Sequence, residues 1–371
     1  MSNEKKLNQK TNSSKTLFVN VQNKPNIGGI ETLVSDFRFI LTQKKVPNKN
    51  FYLAKNKLSI YLFSKSFSRK VIIITKGINL IFMIHAELLL RKYKNVYVFF
   101  YHAECHLLLR LCLPLLKCNN KIITITYLCQ SPDIYPYKLL NGTRGIMKKK
   151  GIVICYSETV AKLWRNLESI QIHSIFSPIR MQRVYDAELQ PTQMNEGLNF
   201  VHVGRNVAYK LPDKSLEFAI QVAEIAPKVC LTFIGISDFP ELSKYTIPKN
   251  LELKFLGLVQ NSLKVSKNAS AMLNFADYRL TGEVIGIAAL ESLAIGVPVI
   301  VNSLNETGYS KLPGILTAKD FLQLLSQKKD RNYDEATNFR LEVSEIKKVR
   351  EELSLELYFE TINRLIRSKA M

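Results

Sequence analysis

A chain of 371 residues is longer than one compact domain and reads as two, at about 150 residues each. With 47% hydrophobic and 22% charged residues its composition is globular, which excludes a fibrous or wholly disordered chain. The net charge of +21 sits in one half, because residues 1–190 carry 30 Lys+Arg against 10 Asp+Glu while residues 191–371 carry 22 against 21; a field of that kind draws anionic partners, whether nucleic acid, lipid head groups or phosphorylated lipid carriers.

The polar stretch 1–15 is expected to be disordered, and it lacks the apolar centre of a secretory signal. Short β-branched and aromatic runs then alternate with helical patterns. Residues 16–20, 71–75, 95–100, 121–126 and 151–156 are predicted as buried parallel strands. Two apolar clusters in this half, 78–90 and 107–117, are flanked or interrupted by Arg91, Lys92, Lys94, Arg110 and Lys117. That pattern fits an interfacial helix and equally a core helix with basic ends. Neither cluster reaches the ~18 uninterrupted apolar residues that span a bilayer, so the clusters favour a membrane surface among the anionic partners.

The polar, proline-containing stretch 187–197 is the expected interdomain hinge. After it the strand pattern restarts at 198–203, 229–235, 251–257, 271–276 and 297–301, which predicts a second doubly wound α/β domain. Residues 334–366 form one amphipathic helical pattern with a break near Ser354, and its last part is expected to pack back on the first domain. The expected divisions are therefore a disordered start at 1–15, a membrane-facing Rossmann-like domain at 16–188, a second Rossmann-like domain at 189–355 and a C-terminal helix at 356–371. The cysteines (Cys105, Cys112, Cys118, Cys129, Cys155 and Cys230) have no metal-ligand spacing and read as reduced cytosolic thiols.

Ligands of open α/β sheets bind beyond the carboxyl ends of the strands, so chemistry is sought in the loops that follow them. In LTGEVIGIAALESLAIGVPVIV (280–301) a loop carries Glu283, and a helix is predicted from near Ile285 to Gly296 with Glu291 on it. Free N–H groups at Ile285 to Ile287 suit a diphosphate, and Gly286 permits close approach. The two carboxylates, about 8 Å apart along the helix direction, then face hydroxyl groups at either end of the ligand: a sugar for Glu283 and a ribose for Glu291. The competing reading makes Glu291 a surface residue and Gly296-Val297-Pro298 a plain helix stop. In VHVGRNVAYKLPDKSLEFAI (201–220), Gly204-Arg205 follows a strand and a lysine follows them; Arg205 with Lys210 or Lys214 would neutralise a departing diphosphate. Gly28-Gly29 lies between the first strand and an amphipathic helix, with Glu31 close behind. FYHAECH (100–106) ends a strand and offers His102 and Glu104 to a cleft, with His106 read as structural.

The block 283–300 resembles the donor-site signature of retaining glycosyltransferase family 4, E-x-F-G-x-x-x-x-E-A-x-A-x-G-x-P-V-I. Here it reads Glu283-Val284-Ile285-Gly286, then Glu291-Ser292-Leu293-Ala294-Ile295-Gly296-Val297-Pro298-Val299-Ile300, with Ile285 and Ser292 in place of Phe and Ala. The Gly204-Arg205 turn with its lysine is similar to the family's second block, where helix phase favours Lys214 over Lys210. Gly28-Gly29 with Glu31 is similar to the family's G-G-x-E turn. Many members have a histidine after the next strand, where this chain has Tyr127.

The resemblance implies the GT-B fold, two Rossmann-like domains facing across a cleft. It also implies metal-independent hexosyl transfer, with retention, from a nucleotide sugar to a lipid-linked or polysaccharide acceptor in surface polysaccharide biosynthesis. On this expectation Glu283, Arg205, Lys214 and His102 are catalytic, while Gly28, Gly29, Gly204, Lys210, Ile285, Gly286 and Glu291 bind the donor. No D-x-D occurs, so no metal or other cofactor is expected. The expected place is the cytoplasmic face of an anionic membrane, with no nucleic-acid partner. Two rival readings stand beside it: a non-catalytic GT-B partner subunit of another glycosyltransferase, and a basic nucleic-acid-binding protein.

Overall fold

Apolar runs too short for helices become strands covered on both faces, and here they assemble into two parallel sheets of six. The computed structural model describes residues 16–22, 29–52, 84, 95–100, 122–128, 151–167, 171–188, 197–207, 210–277, 285–304, 309, 311–327 and 339–370. The expected disordered start, the strand predicted at 71–75, the cluster 107–117, all of the cluster 78–90 except the buried Ile84, and residues 189–196 of the hinge lie outside them.

The first sheet contains β1 (Thr16–Gln22), β2 (Asn48–Tyr52), β3 (Asn95–Phe100), β4 (Ile122–Leu128), β5 (Gly151–Cys155) and β6 (Ile172–Ser174), in the order β2-β1-β3-β4-β5-β6. Leu33, Val34, Phe37, Ile40 and Leu41 recur at helical spacing and give α1 (Gly29–Gln43) its buried stripe. Phe37 meets Phe99 at 4.9 Å and Phe18 at 5.9 Å between ring centroids, which fixes the helix over β1 and β3.

The second sheet contains β7 (Leu198–Val203), β8 (Val229–Ile234), β9 (Leu251–Phe255), β10 (Ala271–Asn274), β11 (Val299–Val301) and β12 (Ile315–Thr317), in the order β12-β11-β10-β7-β8-β9. Its core is aromatic. Phe200 of β7 packs edge-on to Phe218 of α4 (Pro212–Ala223) and to Phe321 of α7 (Ala318–Gln327), at 5.5 and 5.6 Å. The chain runs outward from β7 through β8 and β9, then returns to the other side of β7 and runs outward through β10, β11 and β12. Its direction therefore reverses between β7 and β10, the place where open sheets receive ligands.

The described residues divide into two compact units, one with residues up to 127 together with 151–153 and 369–370, the other with 154–368 and 128. Residues 154–188 fall in the unit that holds the second sheet, although 154–155 of β5 and 172–174 of β6 pair into the first sheet. They include α2 (Glu158–Leu167) and α3 (Met181–Glu188). In the same unit the expected break near Ser354 separates α8 (Val343–Glu352) from α9 (Leu355–Ala370). The helical pattern expected from 334 does not hold at 339–342, which are not helical: the Leu341 N–H donates instead to Gly296 O at 3.1 Å. No helix among the described residues is long and apolar enough to cross a membrane.

Candidate functional site

The backbone turns sharply after β7. The Gly204 N–H donates to Ile234 O at 2.9 Å, and the neighbouring turn after β8 presses against it at Gly235. Gly235 has φ +88°, and a Cβ there would lie 2.5 Å from Gly204 O, so only glycine fits. Two further bonds, Val207 N–H to Arg205 O and Lys210 N–H to Val207 O, both 2.9 Å, curl the chain back towards α4. Leu211 closes the turn in the left-handed region (φ 45°, ψ 52°) immediately before Pro212, a costly conformation for a non-glycine residue. The stem of Lys210 lies over Gly204, 3.6 Å from where a Cβ would stand, whereas Lys214 and Arg205 are exposed.

Beneath this turn lies His202 of β7, 2% exposed. Its Nδ1 is 2.8 Å from Ser215 Oγ at the start of α4, and its Nε2, 3.1 Å from the Cβ position of Gly204, makes no hydrogen bond. Burial first, and the Lys210 ammonium second, lower its pKa to about 4, so the ring is neutral at pH 7.

The other wall begins at Asn274, the last residue of β10, whose Oδ1 accepts the Gly286 N–H at 3.2 Å. Gly286 caps α6 (Ile287–Ala294), and the Ala289 and Leu290 N–H groups return to its carbonyl. This corrects the expectation of free donors from Ile285 to Ile287: the Gly286 donor is spent on Asn274. The N–H groups of Ile287 and Ala288, the first two of the helix, have no intrahelical acceptor and retain the positive end of the helix dipole. The helix is held down by buried Ile285, Ala289, Leu290 and Leu293. It ends in a Schellman turn, with Val297 N–H to Ser292 O and Gly296 N–H to Leu293 O, both 2.9 Å, and Gly296 at φ +80°. Ser292, where the resembled pattern has Ala, satisfies its hydroxyl on Ala288 O at 3.0 Å.

Glu291 is no surface residue. It is 7% exposed, and its Oε1 lies 3.3 Å from Nε of Arg183 on α3. Because β7 and β10 are paired neighbours, the Gly204-Arg205 turn, Lys210, Gly286 and the start of α6 emerge side by side. The cations and the helix end together suit a diphosphate. Of the other expected residues, Glu283, His102 and Gly28, with Glu104 and His106, lie outside the described residues; Gly29 opens α1, and Tyr127 is buried in β4. Asn274, His202 and Arg183 were not anticipated. Asn274 and His202 end or line strands and act through partners 12 and 13 residues away, and Arg183 acts on a helix far along the chain, so no local spacing announces any of them.

A cavity of about 670 Å³ lies elsewhere in the same unit, lined among others by Glu158, Lys162, Phe176, Leu304, Lys311 and Tyr358 and by none of Arg205, Gly286 or Glu291. Among the described residues no group of three or more His, Cys, Asp or Glu side chains could hold a metal ion.

No family model and no curated protein matches this chain, but solved structures do. A glycosyltransferase from Rickettsia africae ESF-5 superposes with a TM-score of 0.64 at 13% identity, over 96% of this chain and 98% of that one. An alpha-glucosyltransferase in complex with UDP-glucose and DNA containing an abasic site gives 0.57 at 11% identity, over 95% and 99%. WaaG, a glycosyltransferase involved in lipopolysaccharide biosynthesis, gives 0.56 at 11%, over 91% and 95%. At such identities the likeness is one of fold. With its two parallel six-stranded sheets and flanking helices, the chain has the α/β GT-B fold of these glycosyltransferases.

Proposed function

We propose that this chain is a glycosyltransferase that holds a nucleoside diphosphate sugar where the order of the second sheet reverses. It passes the hexosyl unit, with retention and without a metal, to a hydroxyl of a lipid-linked or polysaccharide acceptor in surface polysaccharide biosynthesis. One observation carries this reading: the Gly204-Arg205 turn and the start of α6 rise from neighbouring strands, with a buried carboxylate, Glu291, further along the same helix. The turn and the helix start have chemistry that fits a diphosphate, and Glu291 has chemistry that fits a ribose. The UDP-glucose bound by the alpha-glucosyltransferase of like fold supports a nucleotide-sugar donor.

In this scheme the bond from the anomeric carbon to the diphosphate oxygen breaks as the acceptor oxygen attacks from the same face, and the acceptor proton leaves with the diphosphate. Arg205, a lysine and the N–H groups of Ile287 and Ala288 stabilise the charge that develops on the leaving group. The position of Lys210 over Gly204 supports it for that role above Lys214. Following the sequence resemblance, Glu283 orients the donor sugar and His102 contacts the acceptor side. The basic first half supports attachment to the inner face of an anionic membrane.

Binding of a panel of UDP-, GDP- and ADP-sugars to the wild type and to Glu291→Ala and Arg205→Ala tests the site. Each substitution is expected to weaken the best donor roughly tenfold or more, the cost of losing a hydrogen bond to a charged group. Equal affinity in all three proteins would remove the assignment.

A further inference from the structure

The cavity of about 670 Å³ beside α2 is lined by no residue of the Gly204-Arg205 turn or of α6. Its volume falls within the roughly 300–1,000 Å³ of small-molecule sites. Its walls are held in place. Arg165, which pairs with Glu158, donates to Ile172 O at 2.6 Å and ties α2 to β6, while the Ile175 N–H donates to Cys155 O at 2.8 Å. Helix α9 is anchored by buried Leu355, Tyr358 and Ile362.

Three kinds of chemistry meet in the lining. Phe176 stacks on Tyr309, with ring centroids 4.7 Å apart and planes inclined by 24°. Tyr309 is fully buried, and its hydroxyl donates to Tyr156 O at 2.9 Å and accepts the Ser177 N–H at 3.4 Å, so the Phe176 ring has a fixed backing. Ser174 and Thr361 add hydroxyl groups. Lys162 of α2 and Lys311, beyond β11, bring two ammonium groups that pair with no acid among the described residues. Arg165 neutralises Glu158, which leaves Glu352 as the lining carboxylate set against those two cations. A fixed aromatic face suits the apolar C–H face of a pyranose, hydroxyl and carboxylate groups suit its hydroxyls, and the excess of ammonium groups favours a negative charge.

We propose that this cavity is a second ligand site, one that takes a sugar bearing a phosphate or a carboxylate and does not depend on the donor-site reading above. Phe176 supports the sugar ring, Ser174, Thr361 and Glu352 meet its hydroxyls, and Lys162 and Lys311 hold the anion. A neutral sugar leaves both ammonium groups unmatched, and a bare anion leaves the aromatic face unused. The site therefore selects against each of them.

Calorimetric titration of the full chain with glucose 1-phosphate, glucuronate, glucose and inorganic phosphate tests the site. At least one of the two anionic sugars is expected to bind roughly tenfold or more tightly than both glucose and phosphate, and which of them binds tells a phosphate site from a carboxylate site. Lys162→Gln and Lys311→Gln should each weaken that ligand about tenfold, and Phe176→Leu several-fold. Both lysines are exposed, so their variants keep the fold and carry the readout should the Phe176 variant unfold. Arg205→Ala, altered in the donor site, should bind the anionic sugar as the wild type does. Failure of both anionic sugars to bind overturns the proposal, as does inorganic phosphate binding as tightly as either. Unchanged affinity in both lysine variants also overturns it, and a loss confined to Arg205→Ala would move the ligand to the donor site.

Discussion

His202 does not titrate where a free histidine does. Its pKa falls from 6.5 to about 4, mainly through burial and secondarily through the Lys210 ammonium. The unfolded chain therefore takes up the proton first, so the stability due to the neutral ring is full above about pH 6.5 and is lost as the pH falls through 4. A shift of that size corresponds to roughly 3 kcal/mol. Denaturant unfolding between pH 7 and pH 4 should show the wild type losing about that much more stability than His202→Gln, and parallel losses in the two proteins would show that the ring is not the titrating group. The same residue marks the limit of what the sequence discloses. Gly204, Arg205 and Glu291 stand at recognisable offsets within single segments, so spacing alone singles them out as candidates. A buried imidazole under a glycine, or an arginine facing a glutamate from another helix, depends on which elements pack together.

Among the elements, legibility follows burial and length. The strands β3, β7 and β8 are apolar runs covered on both faces, and their predicted and observed bounds agree closely. Of the four edge strands only β9 is legible, and three escape notice because half-covered or very short strands need no such run: β2 reads NKNFY, and β6 and β12 have three residues each. The end of α6 was announced by Gly296-Val297-Pro298, since a left-handed glycine before a proline stops a helix by geometry. Its start was less legible. Where the donor groups near Gly286 go depends on Asn274, placed by the sheet beside it. The stretch 339–342 shows tertiary bonds overriding a helical pattern: Leu341 is drawn to the Gly296 carbonyl, and Arg340 bonds the carbonyls of Ile295 and Lys267. Helix α8 can start only after these contacts, with Glu342 and Glu345 forming its capping box.

For the whole molecule, two doubly wound sheets place a direction reversal beside β1 as well as beside β7, so each unit has its own ligand-receiving edge. The excess positive charge belongs to the half that holds the first of these edges. On the membrane-surface reading, the protein should bind vesicles containing anionic lipid, weaken steeply between low and physiological salt, and show no comparable affinity for oligonucleotides. Stronger binding to oligonucleotides in a co-sedimentation assay would favour the nucleic-acid reading instead. The central claim is that the protein turns over a nucleotide sugar, and it is tested most directly by the rate at which purified protein releases nucleoside diphosphate from the sugar nucleotide it binds best. The account predicts slow release without acceptor and a fall of about 100-fold in Arg205→Ala, the usual cost of removing one group that stabilises the developing charge. Tight donor binding with no release, and no change in Arg205→Ala, would contradict it and identify a non-catalytic partner of another transferase.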